Sequence, residues 1–158
     1  MKNVTIYTDG ACLGNPGKGG WAAILSLDNT PHRKEIFGGF LNTTNNRMEL
    51  FAVISALSML KNPCNAMIYT DSKYVADAIS KGWLKSWEKN NWKKSDKQSV
   101  KNIDLWVKLS ELLNIHNVKF KWLKGHCGYV DNEICDSLAK QAAISDNLSI
   151  DEGYKENS

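Results

Sequence analysis

Val4-Thr5-Ile6-Tyr7-Thr8-Asp9 is the stretch whose reading decides the fold. It is rich in β-branched residues and alternates in polarity, so it predicts a strand. A glycine-rich bend, residues 10–20, follows, with Asn15-Pro16-Gly17 at its middle. Residues 21–27 and 34–40 read as two more strands, joined by a hairpin turn at Asp28-Asn29-Thr30-Pro31. Thr43-Thr44-Asn45-Asn46 supplies helix caps. Residues 48–60 are apolar almost all round, which predicts a helix buried on more than one side. Residues 66–70 form a short strand, and Asp71-Ser72 caps a helix to about residue 80. A helix over 100–113, a strand over 118–123 and a last helix over about 131–145 complete the pattern. The order β-β-β-α-β-α-(basic stretch)-α-β-α predicts an α/β fold with an antiparallel hairpin first, parallel additions later, and helices on both faces. The polar residues 146–158 read as a frayed tail.

A chain of 158 residues and 17.7 kDa fits one domain, residues 1–158. Its 42% hydrophobic and 23% charged content lies near the globular norm. No apolar run reaches the roughly 20 residues of a membrane span, and Met1-Lys2-Asn3 leads straight into a strand pattern rather than an export signal. A cytoplasmic monomer is the default expectation. The four cysteines, Cys12, Cys64, Cys127 and Cys135, form no C-x-x-C pair, so zinc-finger and thioredoxin readings fail and free thiols are expected. The net charge is only +3, but residues 81–101 hold seven lysines against Glu88 and Asp96, which leaves the rest of the chain slightly acidic. Lys81, Lys85, Lys89, Lys93, Lys97 and Lys101 recur every four residues, with Trp83, Trp87 and Trp92 between them. Such a local basic patch is the footprint of a polyanion; the plainer reading is a solvated lysine face with tryptophans turned inward.

Three acids stand at related places. Asp9 closes the first strand, Asp71 closes the fourth, and Glu49 interrupts an otherwise apolar helix. Ligands of open α/β sheets gather at the carboxyl ends of strands. Singly, Asp9 reads as a turn former and Asp71 as a cap. A buried Glu49 needs a cation, whether a metal or a neighbour such as Arg47. Asp136 lies beside the apolar stripe of the last helix and is either a further ligand or an i,i+4 partner of Lys140. Four carboxylates without paired soft ligands suit Mg²⁺, not zinc. Two such ions about 3.5–4 Å apart clamp an in-line phosphoryl displacement. His126, in the loop Gly125-His126-Cys127-Gly128, is an exposed loop histidine or a proton shuttle.

Asp9-Gly10-Ala11-Cys12 with Asn15-Pro16-Gly17, Thr43-Thr44-Asn45-Asn46-Arg47-Met48-Glu49-Leu50, Tyr69-Thr70-Asp71-Ser72, and Lys124-Gly125-His126 leading to Asp131-Asn132-Glu133 and Asp136 occur in this order. In these motifs the chain resembles type 1 ribonuclease H, in its bacterial stand-alone form, over about residues 3–145. The resemblance implies a five-stranded mixed sheet, its first three strands antiparallel. It implies that Asp9, Glu49, Asp71 and Asp136 hold two Mg²⁺ ions (Mn²⁺ being a possible substitute) and that His126 assists proton transfer or product release. The activity implied is cleavage of the RNA strand of an RNA–DNA hybrid, leaving 5′-phosphate and 3′-hydroxyl ends.

Only the 2′-OH separates RNA from DNA at a given site. In the resembled family, positions like Cys12, Asn15, Asn45 and Asn46 line the groove that reads it, and a position like Thr44 holds a DNA-strand phosphate. Asn132 belongs to the same motif set. Trp83, Lys85, Trp87, Lys89, Trp92 and Lys93 correspond to a basic handle for the hybrid. Cys127, Tyr129 and Lys73 depart from the family pattern. Two other readings compete: a DNA nuclease or integrase of the same fold, and a non-catalytic hybrid-binding module. The first lacks room for extra DNA-binding domains; the second has no need of four converging acids beside a polyanion.

Overall fold

The computed structural model describes residues 1–125 and 128–155. Five strands, β1 (Lys2–Leu13), β2 (Gly17–Leu27), β3 (Arg33–Thr43), β4 (Cys64–Thr70) and β5 (Asn117–Trp122), make one sheet in the order β3-β2-β1-β4-β5. β1 pairs antiparallel with β2 and β2 with β3; β4 adds parallel to β1, and β5 parallel to β4. This is the mixed α/β sheet expected from the element order. The helices are α1 (Asn45–Ser58), α2 (Lys73–Ser80), α3 (Trp83–Lys89), α4 (Ile103–Ile115) and α5 (Val130–Ala143). None of the described helices is long and apolar enough to cross a membrane.

The alternation of each strand sorts the helices between the two faces. Val4, Ile6, Ala23, Leu25, Ala66 and Ile68 join Leu50, Val53 and Leu57 of α1, Val75 of α2, Leu84 of α3 and Trp106 and Leu109 of α4 in one hydrophobic core. The intervening residues of β2, including Ala22 and Ile24, are buried on the opposite face with Cys135, Ala139, Ala142 and Ala143 of α5. Covered by the sheet on one side and by α4 on the other, α1 buries Met48, Leu50, Ala52, Val53, Ile54, Ala56 and Leu57, as its all-round apolar sequence requires.

Three expectations are corrected. β1 does not end at Asp9 but runs on through Gly10 to Leu13, because β2 keeps pairing with it as far as Leu13↔Lys18. The basic stretch holds a short helix, α3, which its Lys and Trp content did not announce; Leu84 anchors it in the core. Residues 146–155 are no frayed tail. Leu41 N–H donates to the Ser149 carbonyl at 2.8 Å and Ser149 N–H to the Gly39 carbonyl at 3.1 Å, so the segment rides the free edge of β3. Asp151, with 1% of its side chain exposed, is bonded within the protein.

α5 seats against β2 where Gly20 has no side chain. A Cβ there would press into the Ala139 carbonyl and lie 2.7 Å from the Ala143 nitrogen, both backbone atoms of the helix. Gly20→Ala is therefore expected to destabilise by about 1–3 kcal/mol through overpacking, read as a lowered Tm with the far-UV spectrum retained. An unchanged Tm would mean that α5 can lift off the sheet freely.

Candidate active site

The register of two parallel strands brings the first two acids together. β1 and β4 pair from Lys2↔Cys64 to Thr8↔Thr70, and the next residue on each is Asp9 and Asp71. Both carboxylates thus emerge at the carboxyl end of the parallel pair. Glu49 arrives from α1, and Gly10 makes its approach possible. A Cβ on Gly10 would lie 2.6 Å from the Glu49 nitrogen and 2.9 Å from Met48 Cβ. The bare backbone lets α1 close onto β1, where Gly10 N–H donates to Glu49 Oε1 at 3.0 Å and to Asp9 Oδ1 at 2.8 Å. Asp9-Gly10 is thus a strand segment under a helix, not the turn that its sequence also fits.

Oxygens of Asp9, Glu49 and Asp71 lie within 4.8 Å of one another. Asp9 and Glu49 are 3% and 4% exposed. Asp9 Oδ2 and Glu49 Oε2 are buried with no hydrogen-bond partner among the described residues. Burial, with the nearby charge of Asp71, pushes the Asp9 pKa up from 3.8 to about 8. Burial first, then Asp9 and Asp71, drives that of Glu49 well above the usual range. Carboxylates in this state hold protons or a cation. Three converging carboxylates at this spacing, two of them with a buried oxygen unpartnered among the described residues, fit a divalent ion that takes oxygen ligands at roughly 2.0–2.6 Å. Arg47 is not the neutralising partner of Glu49 that its proximity in sequence suggested: its guanidinium turns away to Asp104 and Asp151.

Asp136 stands outside this cluster. It pairs with Lys140 at 3.0 Å, the plainer of its two readings, yet its charge is near enough to raise the Asp9 pKa. Asn132, one turn earlier in α5, is 4% exposed and its Oδ1 has no partner among the described residues. His126, and Cys127 with it, lie outside the described residues.

The expected groove residues surround the start of α1. Thr44 caps it, its hydroxyl accepting from Arg47 N–H at 3.3 Å. Asn15 Oδ1 accepts from Asn45 N–H at 3.1 Å and ties the β1–β2 loop to the helix, while Asn45 and Asn46 are exposed. Cys12 is half-buried, its Sγ 3.5 Å from the Thr43 carbonyl. The basic stretch is not one lysine-faced helix. Lys85 and Lys89 lie on α3, but Lys93 follows an irregular turn in which Asn91 and Trp92 have left-handed backbones. Trp83 is 42% exposed beside the Lys81 ammonium, which lies 5.3 Å from its ring centre. Trp87 and Trp92 are half-buried against the core, Trp87 edge-on to Trp106. Two of the three tryptophans therefore anchor the protrusion and one faces outward.

Sequence reasoning missed Trp122, whose Nε1–H donates to the Asp71 carbonyl at 3.1 Å while the Lys73 ammonium sits 5.0 Å from its ring centre. Only the β4–β5 register brings them together.

Acidic oxygens gathered where the parallel β1–β4 ladder ends, in a chain that also carries a basic protrusion, fit the class of nucleases that use divalent metal ions. The RNase H family model matches residues 1–144. Ribonuclease H of Nitratidesulfovibrio vulgaris (strain Miyazaki F) is 54% identical over 99% of both chains. Ribonuclease HI of Haemophilus ducreyi is 50% identical over 98% of this chain and 99% of its own. Among solved structures, LC9-RNase H1, described as a type 1 RNase H with the type 2 active-site motif, matches with TM-score 0.80 and 30% identity over 90% of this chain and 72% of its own. LC11-RNase H1, solved with an RNA/DNA hybrid, shares the fold at TM-score 0.62 and 21% identity over 89% of this chain and 96% of its own. The chain belongs to the RNase H family and is a nuclease.

The raised Asp9 pKa has a sign that can be tested. A proton held more tightly by the folded than by the unfolded chain stabilises fully below the unfolded pKa and is lost as pH rises through the folded one. In EDTA, stability is thus expected to fall between about pH 4 and about pH 8 by an amount on the order of a few kcal/mol. Asp9→Asn should show a shallower fall, and Mg²⁺ should restore the wild type at the alkaline end. Identical pH profiles for both proteins in EDTA would rule out a buried, charge-strained Asp9.

Proposed function

We propose that Asp9, Glu49 and Asp71, joined by Asp136, hold two Mg²⁺ ions (Mn²⁺ serving as a substitute), and that with this site the chain hydrolyses the RNA strand of an RNA–DNA hybrid. The observation that carries the reading is the trio of carboxylates within 4.8 Å, with buried oxygens that no described residue satisfies. Held by these carboxylates, magnesium would supply Lewis-acid chemistry, activating a water and stabilising charge on the phosphate and leaving oxygens, and the products would carry 5′-phosphate and 3′-hydroxyl ends. Gly10 N–H holds the inner oxygens of Asp9 and Glu49 in place, so that their other oxygens face the ligand position. Asp136, freed from Lys140, completes the donor set, and His126 carries a proton to or from the reacting oxygens.

The hybrid lies along the start of α1. Asn15, Asn45, Asn46 and the Cys12 loop read the 2′-OH, and Thr44, with its hydroxyl proton still available, donates to a DNA-strand phosphate. Asn132 offers its unused amide oxygen beside the same site. Trp83, Lys85, Lys89 and Lys93 grip the backbone from the protrusion, which Trp87 and Trp92 brace. The hybrid is the partner that this charge pattern fits, and no second protein is needed. We place the enzyme in the cytoplasm as a monomeric single domain.

End-labelled hybrid, double-stranded RNA and double-stranded DNA of one sequence, incubated with Mg²⁺ or EDTA, test this. Only the RNA strand of the hybrid should be cut, and both EDTA and Asp9→Asn should abolish cutting. A hybrid bound but intact in Mg²⁺ and Mn²⁺ would indicate a binding module; a cut DNA duplex would move the chain to DNA nucleases of this fold. Lys85→Ala should weaken binding of all hybrid sequences alike and lower the salt slope of log K by about one. An unchanged slope would remove Lys85 from the interface.

A further inference from the structure

Arg47 lies two residues before Glu49, yet its side chain is 1% exposed and faces away from the acidic cluster. Asp151 accepts from it twice, from Nε at 2.7 Å and from Nη2 at 2.9 Å. Asp104, at the start of α4, also accepts twice, at 2.9 and 2.7 Å. Asn102 Oδ1 accepts from Nη1 at 3.3 Å. The same Asp151 oxygen that meets Nε also accepts from the Thr43 hydroxyl at 2.7 Å. Gly153 gives the segment room to pass, since a Cβ there would lie 2.7 Å from Arg47 Nη2.

Asp151 comes from the segment beyond residue 144, where the family match ends. It grips Thr43 and Arg47, the two residues that bracket Thr44, Asn45 and Asn46. Those three side chains are half-buried or exposed and have little packing of their own to hold them. The network continues sideways. Asn102, next to Lys101 at the base of the protrusion, donates to the Tyr74 hydroxyl, which also accepts from Trp106 Nε1. Tyr74 lies in the first turn of α2, three residues after Asp71. One buried guanidinium therefore joins the start of α1, the base of the protrusion and the helix that follows Asp71.

A buried ion pair adds little net stability compared with a well-packed apolar replacement. What a bidentate pair does supply is a fixed geometry. We propose that the C-terminal segment, through Asp151, is a positioning element of the substrate groove. It sets residues 44–46 against Asn15 and against the protrusion before substrate arrives. The inference rests on the reading of that groove as the hybrid site, and it makes residues 148–153 part of substrate recognition without contact to the hybrid. Preorganised contacts lose affinity when their support is loosened, even though every contacting side chain remains.

The test uses the full chain in an Asp9→Asn background, so that bound hybrid stays whole. Asp151→Ala, Thr43→Val and Leu109→Ala are compared with the parent. Leu109 is buried in α4, donates and accepts no side-chain bond in the network, and serves as a control for lost stability alone. Thr43→Val removes one bond and leaves the ion pair, so it decides the matter should Asp151→Ala fail to fold. Hybrid Kd, Tm, and amide exchange at Arg47 and Met48 are measured well below every Tm. Asp151→Ala should weaken hybrid binding about tenfold, the loss expected when a recognition surface is unlocked. Thr43→Val should weaken it less, both should speed exchange at the two amides, and Leu109→Ala should do neither. If Asp151→Ala or Thr43→Val binds hybrid as tightly as Leu109→Ala does, the clamp serves stability alone and the inference fails. If the parent itself does not bind hybrid, the reading of the groove fails first, and the inference with it.

Discussion

Asp9, Glu49 and Asp71 repel one another, and the fold holds them together against that repulsion. Ionised together they would set like charges where Coulomb forces are strong and water is scarce, which is why Asp9 and Glu49 hold protons unless a cation is bound. Such an arrangement survives only because elements stabilised elsewhere impose it. Asp9 and Asp71 are fixed by seven rungs of the β1–β4 ladder, and Glu49 by a helix pressed onto β1 at Gly10. The hydrophobic core beneath α1 supplies the stability that the site consumes. Strain of this kind marks a place prepared for a cation.

The positive charges complete the logic by where they are not. Arg47 is the nearest candidate to relieve Glu49, and the protein commits it fully to Asp104 and Asp151. The lysines of residues 81–101 sit on and around a protrusion built on α3, apart in sequence from the three clustered acids. Charge is thus segregated: three acids gathered where the β1–β4 ladder ends, and lysines on a protrusion anchored by Leu84, Trp87 and Trp92 packed against the core.

Much of this was legible in the chain. All five strands were read from the chain, the first by its alternation and β-branched residues, and the all-round apolar stretch gave α1 as a helix buried on more than one side. Asp9, Glu49 and Asp71 stood out as charges at strand ends or in an apolar helix, and the structure brings those three together. Other features were obscured. Lysine-rich segments look alike whether helical or irregular, because their side chains face water in either case; α3 was hidden for that reason. The segment after residue 145 looked loose because polar residues without periodicity carry no sign of a buried partner. Its buried acid, Asp151, is recognisable as an anchor only once Arg47 is known to point at it.

What the sequence determined by itself is what local physics controls: which stretches alternate, which are apolar all round, where glycine and proline interrupt, and which acids sit where solvent is scarce. What only the tertiary structure decided is pairing across distance. The β1–β4 register, the approach of α1 over Gly10, the Trp122 bond to the Asp71 carbonyl and the grip of Asp151 on Arg47 each join residues 38 or more positions apart. Such pairings depend on shape and on the exclusion of water by the finished core, and neither exists until the chain has folded.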